Sequence, residues 1–344
     1  MTLVLYGVSP IGLGHASRAV AVGQELEKAG IDAVFATGGN AAEYISSYGM
    51  KVQDVVREPL PAVRGGEMKE ASLWYLKYWW GYRRSKSAMD RLIRELEPDV
   101  VVGDEEFSGV SSAMAAGKRH ALIADELQLG FARTLLARPI ERRVAEWYSR
   151  LQADVSTLII PDFGVDAGNR HYVTPIVRRV TATREQVAEE FSLPSGGLML
   201  LLSMSGSGIG AVLMRRTLEA FKRMRIPGGF LVVNGNRGSR ASVDGVYDLG
   251  PVRDGQNFIA AADLVISTAG KSTIDEAASS GTPLIPMPIR NHPEQERNAG
   301  ALGYTAKDIS RLEELIAEKL GHREVPKEYH GAAKTAELLA QLVR

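Results

Sequence analysis

Short apolar runs alternate with helical patterns along almost the whole chain. In the first half they fall at Leu3–Val8, Ala33–Ala36, Val52–Val56, Val100–Gly103, Ala121–Ala124 and Val155–Ile160. In the second half they fall at Leu198–Ser203, Phe230–Asn234, Tyr247–Leu249, Leu264–Ser267 and Leu284–Met287. The runs are continuous rather than alternating, so they predict parallel strands covered on both faces by helices. That is the pattern of two doubly wound α/β domains. The polar, turn-rich stretch Pro161–Pro175 reads as the boundary, giving one domain over residues 1–172 and a second over 173–327. Leucines 338, 339 and 342 mark a closing helix within 328–344.

Length and composition narrow the function. A chain of 344 residues suits two domains, each large enough for its own core. Basic and acidic residues balance at 41 each, which counts against nucleic acid as a partner. The absence of cysteine excludes disulfides, thiol catalysis and cysteine–zinc sites. No apolar run has transmembrane length, and Leu3–Val8 is too short for a signal peptide and lacks a basic lead. The expected location is the cytoplasm, with the inner face of a membrane as a further option. Nothing calls for a cofactor or a metal, and the oligomeric state is not legible.

Three turns carry candidate chemistry. The first strand runs into Gly7-Val8-Ser9-Pro10-Ile11-Gly12-Leu13-Gly14-His15, then into a helix of small residues. Gly12 and Gly14 let backbone approach a ligand. His15 sits at the helix start, where an imidazole titrates in the range of a general base. Arg18, one turn on, can meet a phosphate or an acceptor, or be a solvated cation. The spacing does not fit the G-x-G-x-x-G dinucleotide fingerprint. The second turn, Ser203 to Gly210, contains Ser205, Gly206 and Ser207 and can form a backbone nest for a diphosphate. The third lies after Leu264–Ser267. There Thr268, Gly270, Lys271, Ser272 and Thr273 open one helix, and His292, Glu294 and Gln295 open another, with Asn298 to orient it. Helix starts suit phosphate, and Glu276, Glu294 and Gln295 can accept hydrogen bonds from sugar hydroxyls.

Two further groups suit either a functional or a purely structural role. Asp104-Glu105-Glu106 ends a predicted strand, where carboxylates face the ligand crevice of such a sheet. Asp104 and Glu105 then orient His15 or bind acceptor; equally, these acids suit a helix start before Phe107. Asp125-Glu126 has a weaker form of the same claim. The segment SLWYLKYWWGYRRSK, residues 72–86, mixes Trp79 and Trp80 with basic residues, which suits an acceptor, a membrane surface or plain packing on its own domain.

The run STAGKSTIDEAASSGTP followed by HPEQERNA resembles the donor-binding box of glycosyltransferases of the GT-B fold. It is similar to that of the lipid-linked peptidoglycan N-acetylglucosaminyltransferases and the monogalactosyldiacylglycerol synthases. The resemblance implies two Rossmann-like domains with parallel sheets facing across a cleft, the last helix packing back on the first. It implies an inverting, metal-independent hexosyl transfer from a nucleoside-diphosphate sugar, a UDP-sugar by preference, to an acceptor hydroxyl that the aromatic-basic segment tilts towards lipid. On this reading His15 is the base, Glu276 holds the ribose, and Glu294 and Gln295 contact the sugar. Backbone near Val252-Arg253 reads the nucleobase. The histidine that opens the box in plant enzymes is absent, with Thr268 in its place and Lys271 as a compensating charge. Two rivals stay open: a nucleotide-sugar 2-epimerase relying on Asp104 or Glu105, and a non-enzymatic nucleotide-sugar-binding subunit.

Overall fold

A computed structural model describes residues 2–59, 63–64, 67–68, 72–125, 138–204, 210–235 and 241–343. The chain forms two compact units. The first comprises Met1–Ala62, Glu70–Val177 and Tyr329–Arg344; the second comprises Val63–Lys69 and Arg178–Glu328.

The first unit opens with β1 (Leu3–Val8), α1 (Gly14–Lys28), β2 (Asp32–Thr37), α2 (Gly39–Ser46) and β3 (Lys51–Asp54). The short pair β4 (Val63–Arg64) and β5 (Glu67–Met68) follows and groups with the second unit. The first unit continues with α3 (Ser72–Leu96), β6 (Val100–Asp104), α4 (Phe107–Ala115), β7 (Arg119–Ile123), α5 (Arg138–Asp154), β8 (Thr157–Ile160) and β9 (Arg170–Tyr172). Its sheet has the order β3-β2-β1-β6-β7-β8-β9, parallel throughout. Successive residues of β1 enter different clusters, Val4, Tyr6 and Val8 on one face and Leu5 on the other. Both faces are therefore covered, as the apolar runs require. The order reverses between β1 and β6, where Val8 pairs with Asp104. Such a switch point is where the loops of a doubly wound sheet diverge and leave room for a ligand.

The second unit continues with α6 (Arg184–Glu190), β10 (Leu198–Ser203), α7 (Ala211–Met224), β11 (Gly229–Asn234), β12 (Ala241–Val243), β13 (Val246–Gly250) and α8 (Gly255–Ala261). Then come β14 (Leu264–Thr268), α9 (Lys271–Ser280), β15 (Leu284–Met287), α10 (Pro293–Ala301) and α11 (Leu312–Lys319). The sheet order is β12-β13-β11-β10-β14-β15, parallel except for the antiparallel β12–β13 edge. Leu200 and Leu202 face one cluster and Met199 and Leu201 the other. The switch point lies between β10 and β14, so the loops that leave these two strands start side by side. The last helix, α12 (Gly331–Val343), belongs to the first unit, where Ala336 and Leu339 join the cluster of Ala19, Val20 and Val22 from α1.

The boundary differs from the expected one. It falls at Val177/Arg178 rather than at 172/173, because Val173 and Ile176 are buried in the first unit's core; the stretch that reads as a linker also holds β9, the edge strand of the first sheet. Three residues, Arg-His-Tyr, give no apolar run to find. One glycine has a role that periodicity hides. A Cβ at Gly81, inside α3, would lie 2.0 Å from the Arg57 carbonyl oxygen. The bare backbone lets the segment after β3 lie directly on the helix.

Candidate functional site

In the first unit the chain leaves β1, turns through Gly12 at φ +76°, and enters α1 at Gly14. His15 is therefore set beside the end of β6. Its Nδ1 lies 3.0 Å from Asp104 Oδ1. Asp104 is fully buried and held from the side by Arg18, whose Nε meets Oδ1 at 3.1 Å and Oδ2 at 2.9 Å and whose Nη2 meets Oδ1 at 2.5 Å. Burial alone would raise the Asp104 carboxyl; Arg18 and His15 hold it below the usual range. Arg18 Nη2 also lies 3.0 Å from His15 Nδ1, so the Asp104–Arg18 pair occupies Nδ1 and Nε2 is the ring nitrogen turned away from it. Arg18 itself is buried and also pairs with Asp125 at 3.6 Å, so it is not a solvated helix cation.

The three acids from the end of β6 part company. Glu106 is the N-cap of α4, accepting from the Ser108 and Gly109 amides at 2.9 and 2.8 Å. Glu105 sits in the left-handed region at φ +46° and places Oε2 3.4 Å from His15 Nε2. Burial would lower the His15 pKa, but the Glu105 charge and the Asp104 hydrogen bond outweigh it and hold it at about 9. Glu58, which no motif marks, completes the group. It accepts from Ser9 Oγ at 2.8 Å and Tyr78 Oη at 3.3 Å. Burial, then the nearby Glu106 charge, push it up to about 8. Its only signal in the sequence is a lone acid before Pro59. On α3, Trp79 and Trp80 are 50% and 56% exposed and pack edge to face, with Arg83 5.0 Å over the Trp79 ring.

In the second unit β14 delivers Thr268, Gly270 and then α9, whose start has no side-chain cap. Thr268 is buried, its carbonyl accepting from the Gly270 amide at 2.7 Å. Ser272 and Thr273 are half-buried in the first turn. Lys271 pairs with Asp275 at 3.2 Å across one helical turn. Asn298 Nδ2 donates to the Ala269 carbonyl at 3.1 Å and ties α10 to this turn. His292 caps α10, its Nδ1 accepting from the Gln295 amide at 3.4 Å. Burial lowers its pKa to about 4, so it caps as the neutral ring. Gln295 is buried and accepts from the Ile289 amide at 3.1 Å, which leaves its side-chain NH2 as the donor; Glu294 is half-buried beside it.

Glu276, expected to hold the ribose, is itself held by Arg178. Arg178 holds its carboxylate through two bonds, Nε to Oε1 at 2.7 Å and Nη2 to Oε2 at 2.9 Å, and Glu276 is 5% exposed. Arg178 also donates to the Arg253 carbonyl at 3.2 Å, while the Val252 amide donates to Asn234 Oδ1 at 3.3 Å. Arg178 and Asn234 thus organise the turn assigned to the nucleobase, and no motif points to either. Arg178 lies in an unmarked basic pair at the unit boundary. Ser205, Gly206, Ser207 and Glu126 lie outside the described residues. Among the described residues, no group of three or more His, Asp or Glu could hold a metal ion, and no helix is long and apolar enough to cross a membrane.

Known proteins share this architecture. Residues 240–340 match the glycosyltransferase family 28 C-terminal domain. An uncharacterized glycosyltransferase of Methanosarcina acetivorans is 27% identical over 318 residues, covering 85% of this chain and 80% of its own. The UDP-N-acetylglucosamine–N-acetylmuramyl-(pentapeptide) pyrophosphoryl-undecaprenol N-acetylglucosamine transferase of Rhizobium etli is 27% identical over 368 residues, covering 96% and 92%. The crystal structure of the kitacinnamycin glycotransferase superposes with a TM-score of 0.65 at 15% identity, covering 100% of this chain and 99% of that one. The chain is a glycosyltransferase of the two-domain GT-B fold.

Proposed function

We propose that the chain moves a hexose from a nucleoside-diphosphate sugar to an acceptor hydroxyl, with inversion and without a metal. The observation that carries this reading is the buried Asp104 carboxylate 3.0 Å from His15 Nδ1. It fixes the ring so that Nε2 takes the acceptor's proton while the acceptor oxygen attacks the anomeric carbon and the bond to the diphosphate breaks. Asp104 then stabilises the imidazolium. The second unit holds the donor. Backbone amides at the start of α9 receive the diphosphate. Gln295 and Glu294 face the sugar hydroxyls, and Glu276 the ribose. A UDP-sugar is the favoured donor, since the Rhizobium relative is named for one.

The acceptor side points to a lipid-bearing substrate or a membrane surface. Exposed Trp79 and Trp80 on a helix that also carries Lys77, Arg83 and Arg84 suit an interface of apolar chains and anionic headgroups. The Rhizobium relative is named for a pyrophosphoryl-undecaprenol acceptor.

The test begins with a thermal-shift screen of nucleotide sugars, since a bound donor stabilises by mass action. Acceptor-dependent release of the nucleoside diphosphate is then measured in wild type and His15→Ala. Release should fall by about 10²–10⁴-fold in the variant, the usual worth of a positioned base. Undiminished turnover would remove His15 from the mechanism. Trp79→Ser with Trp80→Ser should raise KM for a lipid-tailed acceptor and not for its tail-less analogue.

A further inference from the structure

His15 Nε2, the nitrogen assigned to receive a proton, lies against Glu105 Oε2 at 3.4 Å. The neighbouring acids are committed elsewhere: Asp104 to Arg18 and His15 Nδ1, Glu106 to the start of α4. Glu105 is 30% exposed, and its other oxygen, Oε1, accepts from the Asp125 amide at a long 3.4 Å. Its backbone is held, because its amide donates to the Ile123 carbonyl at 3.0 Å and its φ is +46°. A glutamate in the left-handed region is strained, and strain of this kind collects where a side chain must be aimed. The 3.4 Å separation is long for a charge-assisted hydrogen bond. An acceptor hydroxyl bonded to Nε2 competes with Glu105 for that nitrogen.

We propose that Glu105 reads the acceptor: its carboxylate leaves His15 Nε2 when the acceptor binds and accepts a hydrogen bond from a second O–H or N–H next to the reacting hydroxyl. The preferred acceptors are then vicinal diols or amino alcohols rather than isolated alcohols. This inference rests on the reading of His15 as the base. It also resolves a difficulty in that reading, since a ring held at about 9 is already protonated at neutral pH. Glu105 is the largest influence raising it. The other charged groups facing the ring stay in place: Arg18 on α1, Asp104 at the end of β6, Glu58 after β3, and Asp125 after β7 through Arg18. Departure of Glu105 therefore frees the base only when an acceptor is seated, and the resting chain is poor at activating water.

The titration of the His15 Cε1–H NMR signal, assigned by its loss in His15→Gln, tests this directly. In Glu105→Gln and Glu105→Gly the titration midpoint should fall to at least about tenfold higher proton concentration than in wild type. Glycine accommodates the left-handed backbone, so the second variant keeps the turn. An unchanged titration in both variants overturns the proposal. In wild type, excess methyl glucoside, which carries vicinal hydroxyls, should lower the His15 titration, and cyclohexanol should not. The glucoside effect should vanish in Glu105→Gly; equal shifts with both alcohols, or none with the glucoside, reject the selection of diols. Undiminished turnover in His15→Ala would instead defeat the base assignment while leaving the titrations as they stand.

Discussion

His15 and Glu58 are both groups whose proton the folded chain holds more tightly than the unfolded chain does. For Glu58 the unfolded carboxyl ionises from about 4.5 upward while the folded one keeps its proton until about 8. Folding therefore loses stability across that window as pH rises. For His15 the contribution is complete below 6.5 and lost as pH rises through about 9. Glu58→Gln keeps the bonds to Ser9 and Tyr78 available and removes the ionisation. Urea unfolding should show it gaining on wild type from about pH 5 to about pH 9, and a constant difference would mean that Glu58 does not titrate there. A tenfold difference in proton affinity between the folded and unfolded chain is worth about 1.4 kcal/mol, so the trend should exceed the error of extrapolation. At this scale the sequence is legible where a turn announces itself. His15 follows two glycines, and Gln295 follows a proline at a helix start. Arg178 and Glu58 stand in no pattern, and their partners, Glu276 and Ser9, lie 98 and 49 residues away. Sidedness is also hidden: of three consecutive acids from the end of β6, Asp104 and Glu105 meet opposite nitrogens of His15 while Glu106 caps α4.

Elements are legible where they are long and apolar. Every predicted strand exists within a few residues, because a strand covered on both faces needs a continuous apolar run. Among the described residues, the strands that escape the pattern are the three-residue edge strands β9 and β12 and the two-residue β4 and β5, all too short to show one. Helix α3 shows the limit differently. Its aromatic and basic residues suggest a ligand surface, while the residue that fixes its place is Gly81. Gly81→Ala improves helix propensity by up to about 1 kcal/mol. It should still destabilise the protein by about 1–3 kcal/mol, since the new methyl meets a carbonyl at 2.0 Å. A chemical-denaturation midpoint at or above wild type would show that the Arg57 segment can yield. Gly270 is a useful control, with ordinary φ and open space around its missing Cβ.

At the scale of the molecule, the two parallel, doubly wound sheets follow from the alternation of apolar runs and helical patterns. The division of the chain does not, because units are set by packing rather than by sequence. Helix α12 lies at the far end of the chain and covers α1, the helix that carries His15. Ending the chain at Glu328 would uncover Ala19, Val20 and Val22. Calorimetry of that truncation should show the first unit melting earlier, with the donor-induced stabilisation of the second retained; a single transition at the wild-type temperature would mean that α12 contributes little.

Residues Val63–Lys69 carry a practical consequence. They group with the second unit, where Glu67 meets Asn291, although their sequence lies inside the first. The polypeptide therefore passes from one unit to the other four times, at 62/63, 69/70, 177/178 and 328/329. A chimera made by transplanting residues 178–328 alone would import a second unit that has lost its own β4 and β5 and inherits foreign ones. Specificity engineering by module exchange has to carry the Val63–Lys69 insert with it, or redesign Asn291 to match the new host.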